Sequence, residues 1–389
     1  MSTLAPATVK KPGSYRLPGG MEHYSSKSEM SDDRIAHLET LAYRYGKYFD
    51  SYLVLQPDRE YLWGSDGQSV IGFHRVGKCL HVAGGLISAS SRPVDFLREI
   101  VEFVERNQLV ISFFNLDRED AQWMNSFGFQ RTLYGIESRI PLEEHHWGGR
   151  PYSWVRRQCN YVNRQRVRFE EWDTEPICQG LAPDRLLQLQ TVSDQHLIGK
   201  TLKSEIPFFE GRLLPGHLHR KRVFVARSDD REGRLEGFAI CNPMLDGSQW
   251  SIEMFRQRDD AVRGTIAFLI REIVDQLKQE DCSEVSICPI PAIGTDRKLE
   301  GESRKVKLSL YLWEKSGRLM FDSRGLYHFK SRFRPEFSDT FICAYPRSTW
   351  GAVWAYLKLV SAFDLKWSQV LQNVLRPNFQ RKTLAQHHE

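Results

Sequence analysis

The stretch "GTIAFLIREIVDQLKQ" constrains the fold of this chain more than any other. Ile266, Leu269, Ile270, Ile273, Val274 and Leu277 recur at i, i+3, i+4, i+7, i+8 and i+11. That spacing puts six apolar side chains on one face of a helix. Alternating "WSIEMFR" precedes it as a strand, and "EVSICPIP" follows as another. A helix held between two strands must bury its stripe on the sheet those strands build.

The same order occurs earlier. "SVIGFHRVGKCLHVAGGLIS" predicts a hairpin around Val76-Gly77-Lys78. Pro93 opens a helix whose buried face carries Leu97, Ile100, Val101 and Val104. "LVISFFN" is a continuous apolar run, a central strand. A short helix in "DREDAQWMNSFGF" and a strand in "IESRIPL" complete this half. The second half opens with a helix in "APDRLLQLQTVSDQHL" and a hairpin in "RVFVARSDDREGRLEGFAICNPM". Hairpin, strand, loop, helix, strand is the order of an acyltransferase fold of the N-acetyltransferase type. The expected class is α+β: tandem GNAT-like domains, each a mixed sheet flanked by helices, with a ligand cleft between or beside two open sheets.

The expected division has a flexible arm over 1–30, a first GNAT-like domain over 31–150 and a basic connector over 151–180. A second, catalytic domain follows over 181–345 and a helical tail over 346–389. Ile35, Leu38, Leu41 and Ala42 share a helix face, "SYLVLQ" and "YLWGS" read as short strands, and tail helices are expected near 349–363 and 366–375. In the first of these, Trp350, Val353, Trp354 and Leu357 form one stripe, either a membrane-interface anchor or a face packed on its own domain.

A net charge of +5 and a pI near 8.7 permit a nucleic-acid partner without requiring one. Seven cysteines without a CxxC indicate a reducing compartment, no zinc site and no disulfide framework. His74, His81 and His196 lack metal-ligand spacing and are read as structural. No signal peptide or spanning run is present, so a cytoplasmic chain is expected, peripheral to a membrane at most.

Two basic segments stand out. Arg156, Arg157, Arg164, Arg166 and Arg168 cluster in "YSWVRRQCNYVNRQRVRFEEW". In "GLYHFKSRFRPEF", Lys330, Arg332 and Arg334 alternate. If the segment is extended, they form a cationic rail opposite Phe329 and Phe333, suited to phosphate or to a solvated edge strand.

Several spaced motifs resemble the catalytic domain of the phosphatidylglycerol lysyltransferase family, also called aminoacyl-phosphatidylglycerol synthase. "VSDQHL" is similar to the family's Ile-Ser-Asp-Glu-Trp-Leu segment. Glu205, Phe208 and Gly211 in "SEIPFFEGRL" fit another family stretch. "SIEMFRQRDDAVRGTIAFLI" resembles an Asp-Leu-Met-Arg strand, an Asp-Ala-x-x-Gly-Thr loop and a helix. "SICPIPAIG" resembles a strand ending in Pro and Gly, and "GLYHFKSRFRPEF" the Phe-Lys-x-Lys-Phe-x-Pro segment. The resemblance covers residues 190–345 well and 70–175 loosely. Glu253 stands where the family has Asp, Phe209 and Glu210 replace a Ser-Leu pair, and the integral-membrane flippase half of the best-known members is absent.

The resemblance implies transfer of an aminoacyl group from aminoacyl-tRNA, the co-substrate, to a hydroxyl or amine. Phosphatidylglycerol or a related lipid headgroup is the first candidate, with a small soluble acceptor as the other. No cofactor and no metal are implied. The chemistry needs an aligned nucleophile, a proton acceptor and an oxyanion site. Glu253 is the candidate base or ammonium holder, and Arg256 the candidate oxyanion or phosphate group; on a regular strand they would face opposite sides unless a bulge intervenes. Glu205 and Phe208 are candidates for holding the amino-acid end, and Lys330 and Arg332 for phosphate. Arg156, Arg157, Arg164, Arg166 and Arg168 would track a tRNA backbone, or form a solvated face. The partners expected are aminoacyl-tRNA, the acceptor and an anionic membrane surface. The rival readings are an acyl-CoA-dependent N-acyltransferase and a non-catalytic binding module. Against CoA, the loop "RQRDDAVRGT" carries one Gly and two Asp where a pyrophosphate cradle needs backbone amides.

Overall fold

The computed structural model describes residues 15–198, 208–230, 233–320 and 322–360. Its first half runs β1 (Glu22–Tyr24), α1 (Asp32–Tyr45), β2 (Glu60–Trp63), β3 (Ser69–Val76), β4 (Cys79–Val82), β5 (Ile87–Ser88), α2 (Val94–Arg106), β6 (Val110–Leu116), α3 (Arg118–Ser126) and β7 (Gln130–Pro141). Then come α4 (Ser153–Arg164), β8 (Val167–Trp172), α5 (Glu175–Cys178), α6 (Pro183–Ile198), β9 (Arg222–Ser228), β10 (Arg234–Met244), β11 (Gln249–Gln257), α7 (Thr265–Gln279) and β12 (Glu284–Pro291). The chain closes with α8 (Arg304–Met320), α9 (Ser323–Ser331), β13 (Glu336–Tyr345) and α10 (Trp350–Leu359).

The strands form one sheet in the order β1-β2-β3-β4-β6-β13-β7-β12-β11-β10-β9-β8, with β5 beside β3. Among the described strands two pairings are parallel, β4 with β6 across α2, and β11 with β12 across α7. The expected repeat is therefore present: each half is a mixed sheet with one helical crossover, a tandem GNAT-like fold. The halves fuse where β7 pairs antiparallel with β12. Gly135 lies at that seam, where an added Cβ would sit 2.9 Å from Pro291 Cα.

The repeat extends to backbone detail. The parallel pairs end at Val82–Phe113 and at Ser251–Ser286, after which the strands diverge. Two residues further on, Asn115 (φ 60°) and Cys288 (φ 65°) each adopt left-handed backbone. A non-glycine residue there costs about 1–3 kcal/mol. Both halves carry this kink at the mouth of their splayed strands.

The amphipathic helices bury the faces their spacing predicts. Ala267, Leu269, Ile270, Ile273, Val274 and Leu277 of α7 pack with Val155, Cys159 and Val162 of α4 on one face of the second half. Phe96, Leu97, Ile100, Phe103 and Val104 of α2 do the same in the first. On the other face of the second half, Leu189 and Val192 of α6 meet Phe238, Ile240 and Met254.

Three expectations are corrected. "SYLVLQ" is a buried 3-10 turn over Ser51–Leu55, not a strand. "GLYHFKSRFRPEF" is not extended: α9 ends at Ser331, a turn follows, and β13 begins at Glu336. β13 then seats between β6 and β7 of the first half. The tail stripe is split. Trp350 and Trp354 face outward, 54% and 51% exposed, while Val353 and Leu357 pack against the cluster around Phe114, Phe208 and Ile342. The expected helix over 366–375 lies outside the described residues.

Candidate functional site

β11 carries a bulge at Glu253, one of the candidate residues. Ile240 pairs with Met254 and Cys241 with Ile252, so Glu253 is the extra residue. The bulge switches the alternation of the strand. Ile252 packs on the α4–α7 face and Met254 on the α6 face, although they are two apart. Glu253 and Arg256 consequently both reach the segment Glu210–Gly211. Glu253 Oε1 accepts from the Gly211 amide, and Arg256 Nη2 donates to Glu210 Oε2 at 3.1 Å. Arg256 Nη1 also donates to Ser193 Oγ on α6, inside the "VSDQHL" motif.

Glu253 has a second partner that the sequence did not signal. Lys221 Nζ lies 2.8 Å from Glu253 Oε2, and both side chains are under 5% exposed. A buried pair like this is held by geometry: each charge needs the other to offset its desolvation. The fit is close. A Cβ at Gly211 would sit 2.6 Å from Glu253 Oε1, 3.0 Å from Lys221 Nζ and 3.2 Å from Gln56 Nε2. Gln56 comes from the first half, so both halves build the site. Lys221 sits one residue before β9 and Gln56 just after a 3-10 turn, positions without a motif.

Lys330 does not sit on a surface rail. It is buried, and its Nζ donates to the carbonyls of Cys288 at 2.8 Å and Pro289 at 3.2 Å. Those oxygens are released where β12 leaves β11, and the ammonium satisfies them. Burial lowers the Lys330 pKa to about 8, against the pull of Cys288 and Glu137. Arg332 is half-buried over the Trp154 ring and 2.8 Å from His328 Nε2. The two cations are therefore separated, one inside and one at the surface.

Phe208 has no exposed surface. Its ring packs at 4.5 Å from Phe209, 5.2 Å from Phe114 and 5.6 Å from His74, tying the Glu210–Gly211 segment to the first half. Glu205 lies outside the described residues. Among the arginines, Arg156 donates to the carbonyls of Trp147 and Gly149 at 2.6 and 2.7 Å and holds that loop. Arg157 and Arg164 are exposed on α4. Arg166 and Arg168 pair with Asp230 and Asp229 at 3.2 and 2.6 Å, with side chains more than 70% exposed. They flank or lie on β8, at the edge of the sheet.

The loop before α7 has an amide already taken by a carboxylate. Its Val262 amide donates to Glu236 Oε2 at 3.1 Å, and Glu236 is fully buried. Asp260 pairs with Arg234 at 2.8 Å beside it. A protein carboxylate thus occupies an amide donor at the helix N-terminus where an anionic ligand would bind. His74 and His81 are buried among aromatic rings, and burial pushes His81 down to about 3. Among the described residues no cluster of His, Cys, Asp or Glu could hold a metal ion, and no helix is long and apolar enough to cross a membrane.

Comparison with known proteins agrees with this architecture. L-PGS from Bacillus licheniformis superposes with a TM-score of 0.69 at 21% identity, over 85% of this chain and 97% of that one. FemX superposes with a TM-score of 0.50 at 12% identity, over 83% and 97%. A phosphatidylglycerol lysyltransferase of Bacillus subtilis (strain 168) is 23% identical over 295 residues, 75% of this chain; the chain spans about a third (33%) of that relative's length. The sequence model of the phosphatidylglycerol lysyltransferase C-terminal family matches residues 39–344, and the chain belongs to that family.

Proposed function

We propose that this chain is an aminoacyltransferase that moves an aminoacyl group from aminoacyl-tRNA to the headgroup hydroxyl of phosphatidylglycerol or a related acceptor. The observation that carries the reading is the bulge at Glu253. It brings a carboxylate, Lys221 and Arg256 to one short segment between the two halves. The acceptor oxygen forms a bond to the ester carbonyl carbon, the bond to the ribose oxygen breaks, and the acceptor proton ends on that ribose oxygen. Glu253 takes part in that proton transfer or holds the amino-acid ammonium, and it orients Lys221. Lys221 and Arg256 supply positive charge for the developing oxyanion. Lys330 fixes the splay of β12 from within. The exposed arginines of α4 and β8 attract the tRNA backbone. The chain works in the cytoplasm, at the face of an anionic membrane.

The acyl-CoA reading is disfavoured by the Glu236 carboxylate on the Val262 amide. The test is to incubate the chain with radiolabelled aminoacyl-tRNAs and phosphatidylglycerol vesicles, with and without RNase. RNase-sensitive label in extracted lipid is expected. Charged tRNA that survives untouched, with vesicles or with a cell extract as the acceptor source, would falsify the reading.

A further inference from the structure

α10 is an apolar helix on the outside of the molecule. Trp350–Leu359 contains one charged residue, Lys358. A surface helix ordinarily turns polar side chains outward. Here the inner side is filled by Ala352, Ala355, Val353 and Leu357, and the outer side is Trp350 and Trp354, each more than half exposed. α8 repeats the arrangement. Its Val306 and Leu310 are buried, while Leu308, Tyr311 and Leu312 are about half exposed.

The two helices share one side of the sheet. Val306, Leu310, Val353 and Leu357 pack with Phe114, Tyr134 and Ile342. The alternate residues Phe113, Leu133 and Phe341 face α2 and α3 on the reverse. Leu310 and Trp313 of α8 and Val353 and Leu357 of α10 wall a single apolar gap between the helices. Their outer sides therefore join into one exposed patch of two Trp, a Tyr and two Leu, a surface that marks an interaction site.

Charge identifies the partner. The stretches 304–315 and 346–359 carry Arg304, Lys305, Lys315, Arg347 and Lys358 at exposed or half-buried positions. They hold one carboxylate, Glu314, which Arg324 already engages at 2.9 Å. Lys307 turns to the carbonyls of Thr295 and Arg297. The loop leading into α8 is balanced, with Asp296, Glu300 and Glu302 against Arg297, Lys298 and Lys307. Lys315 Nζ lies 5.5 Å from the Tyr311 ring centroid, and Lys358 Nζ 5.7 Å from that of Trp354. Aromatic rings flanked by lysines suit the boundary between acyl chains and headgroups. A second copy of the chain would set like charge against like charge. Residues 361–389, next in sequence, are like-charged too, with Lys366, Arg376, Arg381 and Lys382 against Asp364 and Glu389. An anionic bilayer opposes the charge and accepts the rings.

We propose that the outer face of α8 and α10 docks this chain on an anionic lipid bilayer, with Trp350 and Trp354 entering the headgroup layer and Lys315 and Lys358 at the phosphates. This face lies one layer from the candidate site: the Tyr356 ring of α10 packs 6.0 Å from Phe208, two residues before Glu210. The docking face stands on the two helices alone; its use in bringing an acceptor to the site rests on the transfer reading above.

The test is flotation of the full chain with mixed vesicles of phosphatidylserine and phosphatidylcholine, which hold no phosphatidylglycerol. The wild-type chain is expected to bind them at least about tenfold more tightly than phosphatidylcholine alone. Trp350→Ala with Trp354→Ala is expected to lower partitioning by about tenfold or more. Leu308→Gln with Leu312→Gln, on the other helix, should do the same, both with far-ultraviolet circular dichroism unchanged. Arg157→Glu with Arg164→Glu, on α4, should leave partitioning within about twofold. In the transfer assay the Trp pair should raise KM for phosphatidylglycerol vesicles by about tenfold with kcat within about twofold, and leave KM for a water-soluble short-chain phosphatidylglycerol unchanged. The docking face is overturned by no binding of the wild-type chain, by equal binding to neutral vesicles, or by binding that both apolar pairs leave intact or the α4 pair removes. A vesicle-free dimer that the Trp pair dissolves overturns it as well. Transfer to vesicles with a KM unmoved by the Trp pair overturns the docking face and leaves the transfer reading standing. Trp-dependent binding by a chain that transfers nothing sustains the docking face and sinks the transfer reading.

Discussion

Two carboxylates buried to similar depth have different surroundings. Glu253 is met by an ammonium and a backbone amide. Lys221→Met leaves that carboxylate buried and unpaired, and should cost about 3–5 kcal/mol of stability and most of the transfer activity. The double variant Lys221→Met, Glu253→Gln should regain much of the stability and none of the activity; chemical denaturation beside the transfer assay separates the two. Asp50, in contrast, is fully buried with one hydrogen bond, from Asn115 Nδ2 at 3.1 Å. Burial raises its pKa to about 7. Between about pH 4 and 7 the native chain keeps that proton while the unfolded chain has lost it. Stability should therefore fall as pH rises through this window, by up to roughly 4 kcal/mol, and level off above it. Asp50→Asn should flatten that slope in denaturant titrations run from pH 4 to 8. Lys330 works at the other end. Its folded pKa near 8 lies below the unfolded value, so its contribution makes stability rise from about pH 8 to 10. Glu253 and Arg256 were legible as candidates from their motif. Lys221, Gln56 and Asp50 were not, because their roles arise from contacts with residues far along the chain, Glu253, Gly211 and Asn115, which no local pattern encodes.

At the scale of elements, the sequence was most readable where one period dominates. The α7 stripe and the flanking strands follow directly from spacing. The segment 325–337 was ambiguous because it satisfies two periods. Lys330, Arg332 and Arg334 alternate as in a strand, while Leu326, Phe329, Lys330 and Phe333 recur as on a helix. The helix forms because Asp322 caps it, its carboxylate accepting from the Gly325 amide at 2.9 Å, and because the sheet releases two carbonyls for Lys330. The second reason is tertiary and invisible in sequence. The bulge at Glu253 is equally tertiary, since a strand with one extra residue reads like any other. Its partner segment tolerates no added volume. Gly211→Ala should displace Glu253 or Lys221 and reduce transfer by at least about tenfold, with a smaller loss of thermal stability. Steady-state kinetics beside a melting curve would show whether chemistry and fold part company in this way.

At the scale of the molecule, the repeat was legible as an order of elements, but the joining of its halves was not. Two open sheets side by side were expected; one continuous sheet is present. A single sheet places the α4–β8 arginines at one edge and the Glu253 site within. Arg157→Glu with Arg164→Glu should weaken binding of charged tRNA and lower the slope of log affinity against log salt, each lost phosphate contact removing roughly one unit. Filter binding at several ionic strengths would measure this; an unchanged slope would rule these arginines out as tRNA contacts.

The seat of β13 also sets a timetable. During synthesis β6 and β7 emerge early, yet the strand that belongs between them is made only after the entire second half. Until then they cannot close on each other in the native order, and each leaves a row of amide and carbonyl groups exposed. A chain that stalls after β7 but before residue 336 carries two strand edges that lack their native partner. The first half therefore completes its sheet only when the last strand arrives, and an unfinished chain exposes strand edges prone to aggregation.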